Sequence, residues 1–94
     1  MEISASEALG KAAMTMDQRA KEYDCEDGER SMSKIVLAFN AITDRDLDVS
    51  EGYLFMLVLK QVRMFNMKKF HEDSALDAIA YASLMAEVRS QEYF

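Results

Sequence analysis

Residues that form tight turns are scarce in this chain. It contains no proline, and its three glycines are Gly10, Gly28 and Gly52. A many-stranded sheet needs several tight turns, and glycine and proline supply most of the backbone conformations that such turns require. The sequence therefore predicts an all-α protein. Its 94 residues suffice for a modest core, so we expect one domain over residues 1–94.

Capping signals and apolar spacing divide the chain into four predicted helices. Ser4 and Glu7 have the spacing of a capping box, in which two side chains satisfy free backbone N–H groups in the first turn. Asp48 and Glu51 have the same spacing and mark the start of the third helix. The predicted helices run from Ser4 to the acidic stretch at 24–29, from Glu29 to Thr43, from Val49 to Lys69, and from near Asp73 towards the C-terminus. This pattern is typical of a four-helix, bundle-like protein.

The second and third predicted helices carry much of the apolar surface. Apolar residues at helical spacing form the expected inner face of the second helix: Met32, Ile35, Val36, Phe39 and Ile42. The third helix is apolar nearly all round across residues 53–59, which is typical of a helix buried on most sides. A chain this short has few elements with which to cover such a helix. We therefore expect it to pack against a second subunit and predict a homodimer.

The composition argues against several classes of protein. The net charge is −6, and direct DNA binding is not expected because phosphate-backbone binding needs a basic surface. The longest apolar run, residues 53–59, is far shorter than the roughly 20 residues that cross a bilayer. The N-terminus lacks the basic start and apolar run of a signal peptide. These features predict an acidic, intracellular protein with no membrane segment.

Two carboxylates lie on the expected inner face of the fourth helix. Asp73, Asp77 and Tyr81 follow one another at four-residue intervals, so they form one stripe along the helix. An inward carboxylate needs a cation, a metal ion or water, because its desolvation is costly. Lys60 and Arg63 share a face of the third helix. We expect them to meet the acids across an antiparallel pair of helices.

Two interpretations of this cluster stay open. In the first, Ser74 and Asp77 form a capping box, and Lys60 and Arg63 are salt-bridge partners of the acids. In the second, the cluster is a ligand site in which Lys60 and Arg63 contact phosphates. Asp73 and Asp77 would then bind Mg²⁺.

Other titratable residues are weaker candidates. Glu26 and Glu29 have ExxE spacing and are further candidate metal ligands. His71 is either a base or ligand of this site, or a helix cap or surface residue. No serine is linked to His71 by a motif, so covalent catalysis is not predicted.

Four segments resemble a family of small phage and prophage proteins that is classed as a domain of unknown function. The segments are DQRAKEYD, GERSMSKIVLAFNAIT, LKQVR and HEDSALDAIAYASLMAE. The resemblance covers about residues 14–90. It implies a helical protein of phage origin, in the cytoplasm of an infected bacterial host. The matching motif residues are Arg19 and Tyr23, Phe39 and Asn40, Lys60 and Arg63 in K-x-x-R, and Asp73, Asp77 and Tyr81 in D-S-x-x-D-x-x-x-Y.

The layout is also similar to the all-α nucleoside triphosphate pyrophosphohydrolases of the MazG type. Those proteins are helical dimers or higher oligomers that bind Mg²⁺ through an ExxE helix and a later ExxD helix. The resemblance implies Asp73 and Asp77 as the second acidic pair, although this chain has DxxxD there. Lys60 and Arg63 would be the phosphate contacts.

The sequence therefore predicts a small phage-type accessory protein that binds a nucleotide or another phosphate ligand. Lys60, Arg63, Asp73, Asp77 and Tyr81 are the predicted ligand contacts, and the resemblance adds Arg19 and Tyr23. Mg²⁺-dependent hydrolysis of a nucleotide in the MazG manner is the catalytic form of this prediction. The alternative is a non-catalytic acidic protein that binds or inhibits a host protein.

Overall fold

The computed structural model describes residues 2–22 and 31–92 of the chain, and over these ranges it contains four α-helices and no β-strand. The helices are α1 (Ala5–Glu22), α2 (Met32–Thr43), α3 (Val49–Asn66) and α4 (Glu72–Glu92). The predicted all-α class and the four helices are confirmed over the described ranges. None of the described helices is both long and apolar enough to cross a membrane.

An antiparallel pair of helices, α3 and α4, forms the centre of the fold. Lys60 contacts Asp77, whereas Tyr53, two turns earlier on α3, contacts Tyr81, one turn later on α4. The two helices therefore run in opposite directions. α1 packs against α4, and α2 packs against α3. The buried cluster at the centre is formed by Met32, Val36, Tyr53 and Leu84.

The predicted capping box at α3 is present, and at α1 only its Ser4 half is present. The Asp48 carboxylate accepts the Glu51 backbone N–H at 2.8 Å, and the Glu51 carboxylate accepts the Asp48 backbone N–H at 3.0 Å. At α1, the Ser4 hydroxyl oxygen accepts the Glu7 backbone N–H at 3.2 Å and donates to the Glu7 carboxylate at 3.1 Å. Local side chains thus fix the starts of α1 and α3.

One asparagine side chain holds the connection between α2 and α3. α2 ends at Thr43, and the capping residue that follows, Asp44, adopts the left-handed conformation with φ 57° and ψ 41°. The Asn40 amide nitrogen donates to the Leu47 carbonyl, and the Asn40 amide oxygen accepts the Leu47 N–H, both at 2.9 Å. A single side chain therefore satisfies both backbone polar groups of Leu47 and fixes the path of the chain into α3.

Gly52 allows α2 and α3 to approach each other closely. A Cβ atom added at Gly52 would lie 2.5 Å from Met32 Sδ and 2.8 Å from Val36 Cγ2. Both partners belong to the buried cluster. Close packing of α2 on α3, and not a turn, therefore explains a glycine inside this helix.

The apolar surface of α3 is less covered than the sequence predicts. Five large apolar residues of α3 are exposed, between 46% and 84%: Leu54, Phe55, Val58, Val62 and Phe65. The prediction that α3 is buried on most sides is wrong for the single chain, because among the four described helices only α4 and α2 pack against it. The predicted inner face of α2 is also only partly correct. Met32 and Val36 are buried, whereas Ile35, Phe39 and Ile42 are exposed.

Candidate functional site

α4 starts with a histidine cap. The Ser74 backbone N–H donates to His71 Nδ1 at 3.3 Å, and the His71 carbonyl accepts the Ala75 N–H at 3.2 Å. The buried Ser74 hydroxyl lies 2.6 Å from the same ring nitrogen. Since the backbone N–H can only donate, Nδ1 is an acceptor and the neutral ring carries its hydrogen on Nε2. The predicted Ser74–Asp77 capping box is therefore wrong, and His71 has the capping role.

Asp77 is the centre of a cluster that joins three helices. Lys60 Nζ on α3 lies 3.0 Å from Asp77 Oδ2, and Arg19 Nη1 on α1 lies 3.4 Å from Asp77 Oδ1. The Lys60 and Asp77 side chains are each 14% exposed, and the Arg19 side chain is 35% exposed. Each carboxylate oxygen thus has its own cation. We call these three residues the Asp77 cluster.

The predicted contact between Lys60 and the acidic stripe is present. Arg19, which only the family resemblance marked, lies in the same cluster. Arg19 reaches Asp77, which lies 58 positions later in the sequence, because α1 packs on α4. Neither spacing nor periodicity in the sequence indicates such a contact.

A second salt bridge joins α1 to α4 one turn before the cluster. Lys11 Nζ lies 3.0 Å from Glu72 Oε1, and the two side chains are 51% and 36% exposed. The sequence analysis did not identify either residue. Because both side chains are well hydrated, removing one partner of this pair should cost less stability than removing Asp77.

Tyr81 lies one turn beyond Asp77, as predicted, and is partly buried against the core. Its ring is 6.4 Å from the ring of Tyr53, centroid to centroid, with an angle of 36° between the planes. This tilted arrangement is favourable for two aromatic rings. The aromatic pair joins α3 to α4 one turn beyond Asp77.

Asp73 and Arg63 do not join the cluster. The expectation that Asp73 points inward is wrong, since its side chain is exposed. It belongs to the first turn of α4, next to the connection with α3, where little of the chain covers it. Arg63 is also exposed, and among the described residues neither side chain has a salt-bridge partner.

Three predicted site residues, Tyr23, Glu26 and Glu29, lie outside the described residues. Over residues 2–22 and 31–92, no group of three or more histidine, cysteine, aspartate or glutamate side chains comes together as a metal site would require. The Asp77 carboxylate already contacts two cations, one at each oxygen. Its carboxylate is therefore better suited to holding Lys60 and Arg19 than to binding a metal ion.

An apolar groove lies on another side of the molecule, between α2 and α3. Its volume is about 190 Å³. The lining residues include Met32, Ile35, Phe39, Leu47, Phe55 and Met56. The groove continues the exposed apolar surface of α3 at Phe55.

The family model described as Domain of unknown function (DUF6378) matches residues 7–89 of the chain. The matched range contains all three residues of the Asp77 cluster. Comparison with curated proteins and with solved structures gave no match.

Proposed function

The chain belongs to the DUF6378 family, whose description names no activity. From the geometry of the site, we propose that the Asp77 cluster binds a nucleotide or another phosphate-bearing ligand. The observation that carries this proposal is the convergence of two cations from different helices on one carboxylate. Lys60 and Arg19 are separated by 41 positions in the sequence, yet both contact Asp77.

The charges of the cluster favour an anionic ligand. Two of the three residues in the cluster are cations, within a chain whose net charge is −6. Arginine binds phosphate oxygens through two parallel hydrogen bonds, and lysine acts as a compact positive charge. About a third of the Arg19 side chain is exposed, which gives a ligand access to its guanidinium group.

Asp77 has a positioning role in this proposal. Its two oxygens hold Lys60 and Arg19 before a ligand arrives, so less side-chain freedom is lost on binding. Tyr81 and Tyr53 support the same stretch of α4 from the core side.

Hydrolysis of the ligand is the catalytic form of the proposal. A MazG-like reaction requires Mg²⁺ held by several carboxylates that also orient the phosphates. The candidates are Asp73, which is exposed one turn before Asp77, together with Glu26 and Glu29. In this form the protein is a phage-type homodimer that acts in the cytoplasm of an infected bacterium.

The proposal is tested by titrating the purified protein with ATP and with inorganic pyrophosphate, each with and without Mg²⁺. Binding is followed by calorimetry and by thermal shift, and turnover by the release of pyrophosphate. We expect binding by the wild-type protein and at least about tenfold weaker binding by Arg19→Gln and Lys60→Gln, since each removes a charge-assisted hydrogen bond.

Lys11→Gln is the matched control. It removes one positive charge from α1 in a salt bridge that also reaches α4, but outside the Asp77 cluster. This variant should bind like the wild type. The proposal is wrong if no phosphate compound binds, or if all three variants lose affinity equally. Circular dichroism checks that each variant is folded at the temperature of the titration.

A second candidate function is that of a non-catalytic protein that binds or inhibits a host protein. It is favoured by the connection between α2 and α3, where Asp44, Asp46 and Asp48 are all exposed. The Asn40 side chain holds the backbone of this connection at Leu47, and its three exposed carboxylates outnumber the one exposed base, Arg45, so the surface is acidic. A complementary basic protein would associate rapidly with such a surface.

This candidate is tested by retaining host proteins on tagged wild-type protein and on a tagged Asp44→Asn, Asp46→Asn double variant at moderate salt. A specific partner should be retained by the wild type and lost by the double variant. Equal retention by both proteins would exclude the acidic connection as the binding surface.

A further inference from the structure

We infer that the exposed apolar face of α3 binds a second copy of this chain, with the two α3 helices antiparallel about a two-fold axis near Val58. The outer face of α3 is defined by Leu54, Phe55, Val58, Val62 and Phe65. The inference rests on the homodimer of the proposed function and adds the surface and the direction of pairing. It does not depend on the ligand.

The outer face is a continuous apolar stripe. Leu54, Val58, Val62 and Phe65 follow one another at intervals of three or four residues, so they lie on one side of the helix for about 17 Å. They are 46%, 46%, 50% and 84% exposed, and the adjacent Phe55 is 72% exposed. No charged residue interrupts the stripe between Leu54 and Phe65, and Glu51 lies on the same side of the helix just before its N-terminal end. Soluble monomers rarely expose an apolar patch of this extent.

The exposed area is larger than that of a compact monomer. The accessible surface is 7236 Å², whereas a chain of 10.7 kDa is expected to expose roughly 5,500 Å² when folded as a monomer. The excess of about 1,700 Å² exceeds the roughly 800 Å² that each partner buries in a stable interface of ordinary size. The chain therefore has enough uncovered surface for a dimer.

The small core of the single chain also supports a dimer. Over the described residues only six apolar side chains are buried, and two of them are alanines. The radius of gyration is 14.5 Å, compared with about 12 Å for a compact domain of this length. A second copy would cover α3 on the side that α2 and α4 leave open.

The distribution of charge selects the antiparallel arrangement. The N-terminal end of α3 carries exposed acids at Asp48 and Glu51. The C-terminal end carries an exposed base at Arg63, and the exposed Lys68 and Lys69 follow in the connection after α3. Antiparallel pairing brings the acidic end of each copy to the basic end of the other, whereas parallel pairing would place like charges together. A two-fold axis repeats the favourable contact on both sides.

The interface is tested by sedimentation velocity or light scattering over a range of micromolar concentrations. The wild type should have twice the mass of a 10.7 kDa chain. Phe65→Glu should raise the Kd of the dimer about 30-fold or more, because it replaces the most exposed large apolar side chain of the outer face with a charge. Because Phe65 is 84% exposed in the single chain, this variant keeps its helix content by circular dichroism.

Leu37→Glu is the matched control. Leu37 is 73% exposed on α2, and it is not part of the outer face of α3. This variant should remain dimeric. A monomeric wild type, or an equal effect of the two substitutions on the mass, would overturn the inference.

The direction of pairing is tested with cysteines in a Cys25→Ser background. Chains carrying Leu54→Cys are mixed with chains carrying Val62→Cys and oxidised gently. Antiparallel helices centred on Val58 should give disulfides between position 54 of one chain and position 62 of the other. Disulfides only between identical positions would indicate parallel helices and overturn the arrangement.

The outcomes for the interface and for the ligand site are distinguishable. A monomer that binds nucleotide through Arg19 and Lys60 would overturn the interface and leave the ligand site intact. A dimer that binds no phosphate compound would overturn the ligand site and leave the interface intact.

Discussion

Lys60 on α3 and Asp77 on α4 form a 3.0 Å salt bridge in which each side chain is only 14% exposed. Arg19 adds a second cation from α1. An ion pair that is largely removed from water contributes little in net terms when intact, but the loss of one partner leaves the other charge uncompensated. Asp77 is therefore the residue of the cluster whose loss should cost most.

Replacing Asp77 by alanine should lower the free energy of unfolding by about 3 kcal/mol, because Lys60 would keep a largely buried charge without its carboxylate. Urea denaturation followed by circular dichroism measures this loss. Glu72→Ala is the control, since the exposed Lys11–Glu72 pair should contribute less than about 1 kcal/mol. Equal losses in the two variants would show that burial of the Asp77 cluster adds nothing to stability.

His71→Ala should destabilise the protein by about 1 kcal/mol, because the Ser74 backbone N–H loses its acceptor at the start of α4. His71→Asn places a carbonyl oxygen at the same position and should recover most of this loss. Thermal unfolding of the three proteins at neutral pH makes the comparison. If asparagine destabilised as much as alanine, the imidazole would have a role other than capping.

Two glycine substitutions should have opposite effects on stability. Gly52→Ala should destabilise by about 1–3 kcal/mol, because the new methyl group overlaps Met32 and Val36 in the core. Gly10→Ala should stabilise by about 0.5–1 kcal/mol, since nothing lies within 4 Å of the added Cβ and alanine favours the helix. Denaturant midpoints of both variants provide the measurement. A stabilising Gly52→Ala would contradict the close packing of α2 on α3.

The capping box of α3 should lose its contribution in acid. The hydrogen bond from the Ser50 hydroxyl, followed by that from the Glu51 backbone N–H, holds the pKa of Asp48 below its ordinary value of 3.8. A carboxyl group whose pKa is lower in the folded protein stabilises the fold above its unfolded pKa, and this stabilisation is lost as the pH falls through the folded pKa.

This dependence can be measured as the urea midpoint between about pH 5 and pH 2. Asp48→Asn, which keeps an acceptor oxygen but cannot titrate, should show a flatter profile than the wild type over this range. Identical slopes in the two proteins would contradict the lowered pKa of Asp48.

Features that depend on residues close together in the sequence were predictable in part. The capping box at Asp48–Glu51 and the Ser4 cap of α1 each need two residues at a fixed spacing, and this spacing can be found in the sequence. The same spacing at Ser74 and Asp77 gave a wrong prediction, because His71 caps α4 instead. The contact between Lys60 and the acidic stripe followed from helix periodicity and the short connection between α3 and α4.

Features that depend on how distant helices dock were not predictable. The Lys11–Glu72 contact joins residues 61 positions apart, and only the packing of α1 on α4 determines it. The burial of α3 was overestimated, because apolar composition shows that Phe55 and Phe65 favour burial but not how many helices are available to cover them. Asp73 and Asp77 differ in exposure for a similar reason: neighbouring helices cover Asp77, but they leave Asp73 in the first turn of α4 exposed.

The order in which the helices contact each other has a consequence for local unfolding. α1 packs on α4 and α2 packs on α3, so each outer helix can detach while the central pair stays intact. Amide hydrogen exchange should therefore be fastest in α1 and α2, in two separate openings, and slowest in the α3–α4 pair. During the opening of α1, Asp77 loses Arg19 but keeps Lys60, so its carboxylate stays neutralised while the outer helix exchanges.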